Sequence, residues 1–261
     1  MDMNLELWQW LFGATAGWLV GLSKTGVPGL GILVVPLLAA AFGGWASVGI
    51  MLPMLLFGDC FAVAWYRRHA EWDKLVGLLP WVAVGMAIGS GALWLVGRLR
   101  GDKDVLSIAI GAIVLIMLGL HLVQRRSGYH IAPHRLPVVV SVGAAAGFAT
   151  TVSNAAGPIM SIYLMAHRLG KREFMGTSAW FYLVINLIKL PVYFALSAAN
   201  PLRPIIGAGS LLLVLAVSPA ILTGVMLGKW LLPRFPQRAF DSVVLALSGI
   251  SAAYLIVRQL W

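Results

Sequence analysis

Charge is what this sequence has least of. Only 11% of its 261 residues are charged, and Asp and Glu together number 9. Soluble domains carry about 25% charged residues, so a soluble globular domain is excluded. Cysteine is nearly missing as well. Cys60 stands alone, which rules out an internal disulfide and any multi-cysteine metal site. No His-Glu-x-x-His and no closely paired histidines occur, so no metal centre is expected. No Walker A sequence or nucleotide-binding domain is present, so neither ATP-driven pumping nor any cofactor is expected. The opening "MDMNLELWQW" lacks a basic n-region, and no cleavable signal peptide is expected.

What the chain has instead is apolar sequence: 60% hydrophobic residues and a mean hydropathy of +0.90. The apolar runs recur from end to end, which reads as an all-α polytopic membrane protein rather than a domain with one anchor. The formal net charge of +10 then belongs to loops facing the cytoplasm, not to nucleic-acid binding. A span needs about 20 apolar residues. Six segments meet that: 46–66, 75–97, 105–123, 174–197, 205–232 and 238–257.

Two regions do not fit. Residues 7–42 are too long for one span and short for two, and "VGLSKTGVPGLG" (20–31) interrupts them with a lysine and a Gly-Pro-Gly-rich break. Residues 137–167 are interrupted in the same way by "SNAAGP" (153–158). The two regions also align without gaps: "GATAGWLVGLSKTGVP" (13–28) matches "GAAAGFATTVSNAAGP" (143–158) at six positions. With a small shift Gly49 meets Gly176, Asp59 meets Asn186 and Tyr66 meets Tyr193. Further on, Gly85-x-x-x-Gly89 resembles Gly224-x-x-x-Gly228. Small residues four apart let membrane helices approach closely, and exposed faces of this kind permit a homodimer.

Loop charge tests how these pieces cross. If each broken region dips in and returns to its own side, twelve basic residues fall on one side and five on the other. If each crosses once, the split is eight against nine. Lys and Arg favour the cytoplasm, so the hairpin arrangement is preferred, with both termini outside. The expected fold is therefore two inverted repeats, 1–126 and 127–261. Each is a broken-helix hairpin (7–42 and 137–167) followed by three transmembrane helices. Inverted repeats with broken helices recur among secondary transporters.

Irregular backbone at membrane depth is tolerated where it is buried in protein or lines a wet cavity. The two tips enter from opposite sides and are expected to meet. The helix after each break directs free N–H groups at it, a setting that attracts anions. Pro28 and Pro158 suit the first turn of those helices. The candidate substrate-binding residues are Ser23, Lys24, Thr25, Gly26 and Val27 at the first break, and Ser153, Asn154 and Ala155 at the second, with Asn186 beside them. Any one of these is equally readable as a residue closing a structural kink. A lysine at the centre of a span costs about 2.5–3.5 kcal/mol on insertion scales. Lys24 therefore needs a partner, water or an anion. Asp59, the one acidic residue well inside a span, is its expected charge partner or a coupling site for a proton. Lys189 is expected to snorkel outward along its stem; three residues past Asn186, it is a secondary ligand candidate. Tyr182 and Tyr193 read first as packing residues.

The "GLSKTGVPGLG" break, the Gly58-Asp59 pair in the next span and the "SNAAGP" break together resemble the TauE/SafE sulfite-exporter family, also called the toluene sulfonate uptake permease family. The likeness covers nearly the whole chain. It implies movement of sulfite, sulfonates and other small organic anions across a bacterial inner membrane. The expected activity is thus a secondary transporter of a small anion, coupled to a proton or another cation, with the bilayer as its other partner. An anion channel is the alternative. An intramembrane enzyme is disfavoured, because adjacent residues on a helix point about 100° apart and Ser23–Lys24 makes a poor catalytic dyad.

Overall fold

The computed structural model describes residues 5–26, 30–98, 104–127, 134–201 and 203–231, with five further positions between 250 and 257. The last expected span, 238–257, lies almost entirely outside them. Among the described residues every regular element is helical. The order is α1 (Leu7–Thr25), α2 (Gly31–Phe42), α3 (Gly44–Tyr66), a 3-10 turn (Arg67–His69) and α4 (Asp73–Val76). It continues with α5 (Leu79–Arg98), α6 (Val105–Ser127), α7 (Leu136–Ser153), α8 (Gly157–Ala166), α9 (Lys171–Ala199) and α10 (Ala208–Leu231). α3, α5, α7, α9 and α10 are long and apolar enough to cross a membrane.

Both broken regions fold back on themselves. Gln9 Nε2 donates to the Ala41 carbonyl at 3.2 Å, joining the start of α1 to the end of α2. At the other end of the pair, Gly31 lies beside Ser23. In the second region the His134 and His167 rings, at the outer ends of α7 and α8, sit 5.1 Å apart. The returning legs are short, 12 residues in α2 and 10 in α8. At 1.5 Å per residue these reach about 18 and 15 Å, well short of a hydrocarbon core of about 30 Å.

Helix direction agrees with this fold-back. α1 and α10 run parallel: Gly13 lies beside Leu213, Gly17 beside Val217 and Gly21 beside Ile221. α5 and α7 also run parallel, with Gly143 beside Trp81 and Gly89 beside Thr151. α3 and α9 are antiparallel, because Asp59 meets Asn186 while Gly176 meets Tyr66. Single crossings of the broken regions would make α3 and α9 parallel.

Glycine sets the closest approaches. A Cβ at Gly21 would lie 2.1 Å from the Ile221 carbonyl oxygen, and one at Gly224 would lie 2.1 Å from that of Trp18. At the second crossing a Cβ on Gly147 would lie 2.1 Å from the Val82 oxygen, and one on Gly85 2.0 Å from that of Ala144. Both Gly-x-x-x-Gly motifs are thus spent on contacts within the chain, and the sequence-based case for a homodimer through them falls away. Overpacking costs about 1–3 kcal/mol, more when the obstacle is backbone. Gly21→Ala is therefore expected to lower the thermal unfolding midpoint in detergent. Gly91, with nothing within 4 Å of a Cβ, supplies the control. Gly91→Ala is expected to leave the midpoint unchanged or raise it, since Ala is favoured in helices by about 1 kcal/mol.

Candidate functional site

The ends of the two hairpins come together. They line one cavity of about 80 Å³. The first hairpin contributes Ser23, Lys24 and Gly31, and the second contributes Asn154, Ala155 and Gly157. Tyr182 and Asn186 of α9 complete the polar part of the wall.

α1 does not stop at Leu22. It continues through Ser23, Lys24 and Thr25, and Gly26 is its C-cap. Lys24 consequently sits in the last turn, at the negative end of the helix dipole, which favours a cation. Lys24 thus belongs to the helix before the break rather than to the break itself. Its ammonium lies 2.7 Å from Asp59 Oδ1 and 4.3 Å above the Tyr182 ring. The Lys24 side chain is 9% exposed and Asp59 is fully buried. Asn186 Nδ2 donates to the other carboxylate oxygen, Oδ2, at 2.7 Å. The two positions aligned between the halves, Asp59 and Asn186, are therefore in direct contact.

The second break is closed differently. Asn154 adopts the left-handed conformation (φ 56°) just past α7. Its N–H bonds the Thr150 carbonyl and the Ala155 N–H reaches back to Ala149, each one residue further than in a Schellman motif. Lys189 stands against this turn. It is 0% exposed, which overturns the snorkelling expectation: α9 packs this face inward. Its Nζ donates to the Thr150 carbonyl at 3.1 Å, to Thr150 Oγ1 at 3.0 Å and to Asn154 Oδ1 at 2.6 Å. Asn154 in turn donates to the Val48 carbonyl of α3 at 3.2 Å.

Three expected ligand residues do structural work instead. Thr25 Oγ1 donates to Gly21 O and, at 2.7 Å, to Val225 O, fastening α1 to α10. Gly26 abuts Gly228 so closely that a Cβ would lie 2.3 Å from its oxygen. Ser153 Oγ donates to Ala149 O within its own helix. Ser23 Oγ likewise turns back to Val20 O, so no Ser–Lys dyad forms. Val27, Pro28 and Gly29 lie outside the described residues. Pro158 occupies the first turn of α8 as expected. No side chain caps the N-terminus of α2 or α8, while Gly31, Ile32 and Gly157 from those first turns line the cavity.

Thr150 and, on α9, Ser178 escaped the sequence reading. Ser178, Tyr182 and Asn186 all line the cavity. They recur every four residues, a spacing that places them on one helix face. Tyr193, by contrast, is a packing residue: its hydroxyl donates to the Thr151 carbonyl at 2.7 Å.

Broken helices whose ends meet around a charged cavity at membrane depth recur among membrane transporters. The sulfite exporter TauE/SafE family model matches residues 11–255. The chain belongs to that family. Searches of curated proteins and of solved structures returned no match.

Proposed function

We propose that the protein is a secondary active transporter carrying a small anion across the bacterial inner membrane by ion-coupled alternating access. Sulfite, a sulfonate, or a related oxyanion or carboxylate is the substrate. The observation that carries this reading is the charge count at the cavity. Lys24 lines the cavity, Lys189 is buried behind the Thr150 and Asn154 that line it, and among the described residues Asp59, paired with Lys24, is the one carboxylate beside them. The surplus positive charge, with two helix N-termini that no side chain caps, suits an anion. Ser23, Lys24, Asn154, Ala155 and Asn186 contact the substrate, while Asp59 sets the charge of Lys24.

The two halves, 1–126 and 127–261, act as inverted repeats. Each lends its first helix to the other: α1 packs on α10, and α7 on α5. Rocking about this exchange exposes the cavity to either side. Loop charge favours both termini outside.

Flux of labelled sulfite into proteoliposomes tests the reading. The wild type is expected to show saturable uptake. Lys24→Gln/Asp59→Asn, which removes the ion pair without leaving a lone charge, is expected to stay folded and lose at least about tenfold in uptake, roughly 1.4 kcal/mol of anion interaction. Undiminished uptake by the double variant would sink the Lys24 assignment. A large unitary conductance would replace the carrier with a channel.

A further inference from the structure

Lys189 is anchored in an unusual way for a buried charge. Its three contacts are a carbonyl, a hydroxyl and an amide oxygen, all neutral. They match the three N–H bonds of an ammonium. All three belong to the last turn of α7 and the first residue beyond it, the negative end of that helix. Broken helices in transporters use such converging oxygens at a half-helix C-terminus to hold a coupling cation. Here the cation is tethered to α9.

We infer that Lys189 is the coupling site and that the coupling ion is a proton. In the charged state Lys189 holds Asn154 in its left-handed turn, with that residue presented to the cavity. Loss of the proton, relayed to cavity water by the Thr150 hydroxyl, removes one N–H donor and loosens the grip on Asn154. The step moves one H⁺ between Nζ and water and transfers no electrons. Asp59 is less suited, because Lys24 and Asn186 already occupy its two oxygens. Among the described residues, the charged groups whose fields reach Lys189 are Lys24 on α1 and Asp59 on α3. Those two offset each other. Of the nearby tyrosines on α9, Tyr193 spends its hydroxyl on Thr151 and Tyr182 lies under Lys24.

The inference rests on the carrier reading and specifies its coupling ion. An anion in the cavity stabilises the Lys189 ammonium, so by linkage the ammonium strengthens anion binding by the same factor. Anion and proton therefore travel together. The sign follows: binding takes up a proton, and affinity falls as pH rises past the point where Lys189 discharges.

Methanesulfonate, which does not itself titrate near neutrality, is the probe. Purified protein in weak buffer is titrated with it while a pH dye follows protons and thermal shift follows binding. Above the point where Lys189 discharges in the empty protein, the wild type is expected to take up one proton per anion bound. Its affinity is expected to fall about tenfold per pH unit above the titration point, the slope of a single linked proton. Lys189→Arg, which keeps the charge permanently, is expected to bind without proton uptake and without that slope. Wild-type binding with no proton uptake, or unchanged uptake in Lys189→Arg, would overturn the inference. Absence of methanesulfonate binding would count against the carrier reading instead. The proton site is then judged by titrating both proteins between about pH 5 and 9, away from ordinary Lys and carboxylate values. One group fewer in Lys189→Arg supports it, and identical curves overturn it.

Discussion

Asp59→Asn is expected to destabilise the protein severely, and adding Lys24→Gln is expected to recover most of the loss. Asp59 is fully buried, and Lys24 is held against it at 2.7 Å. Removing the carboxylate leaves two buried lysines with no counter-charge among the described residues around the cavity. Breaking one side of a buried pair costs about 3–5 kcal/mol, because the surviving charge stays desolvated. Replacing both partners by neutral groups of similar shape is often nearly neutral. Lys24→Gln alone is expected to fall between the two, since Asn186 still donates to Asp59. Thermal unfolding of the four proteins closes a double-mutant cycle, with an expected coupling of roughly 3 kcal/mol between residues in contact. Additive losses would mean that the pair does not carry its charge through the buried contact.

Asn154→Asp is expected to do the reverse, keeping the fold while weakening anion binding strongly. The substitution places a carboxylate where Oδ1 now meets Lys189 at 2.6 Å. Asp tolerates the left-handed conformation nearly as well as Asn, so the turn survives. The Val48 contact at 3.2 Å is lost, a cost of about 1 kcal/mol. The new ion pair offsets that, and the unfolding midpoint is expected to hold or rise. The surplus positive charge, however, disappears. A unit charge about 5 Å from the anion acts with roughly 3 kcal/mol at an effective dielectric of about 20. That corresponds to about a hundredfold weaker binding. Asn154→Gly separates the two roles, because it accepts the backbone conformation but removes the acceptor for Lys189. Sulfite binding at wild-type strength in Asn154→Asp would show that the substrate does not read this charge.

The sequence announced these residues unevenly, and the reasons are physical. A lysine and a Gly-Pro-Gly segment inside apolar sequence mark the first hairpin plainly, as "SNAAGP" marks the second. The alignment of Asp59 with Asn186 located a pair that touches. The exact end of α1 was less visible, because Ser, Lys and Thr are all compatible with a helix and only Gly26 stops it. The same local ambiguity covers the hydroxyls of Ser23, Thr25 and Ser153. Placed in C-terminal turns, they bond carbonyls three or four residues back.

Lys189 and Thr150 were hidden because their meeting is tertiary. Nothing local distinguishes a lysine that snorkels from one that α9 turns toward α7. The α9 stripe of Ser178, Tyr182 and Asn186 was legible by its period, but aromatic residues at helical spacing usually pack. The glycine matching was one turn out. A Cβ on Gly89, not one on Gly85, would lie 3.3 Å from the Phe148 oxygen, as one on Gly224 would lie 2.1 Å from that of Trp18.

The central claim is that a small oxyanion binds where the two hairpin ends meet. Selenite carries the same oxyanion chemistry as sulfite with an anomalous scatterer at its centre. A crystal of the protein soaked in selenite, measured at the selenium edge, tests the claim most directly. The account predicts one strong anomalous peak in the cavity, within hydrogen-bond reach of Lys24 or Asn154 through the selenite oxygens. A crystal whose selenium sits elsewhere, with that cavity empty at saturating selenite, would contradict it.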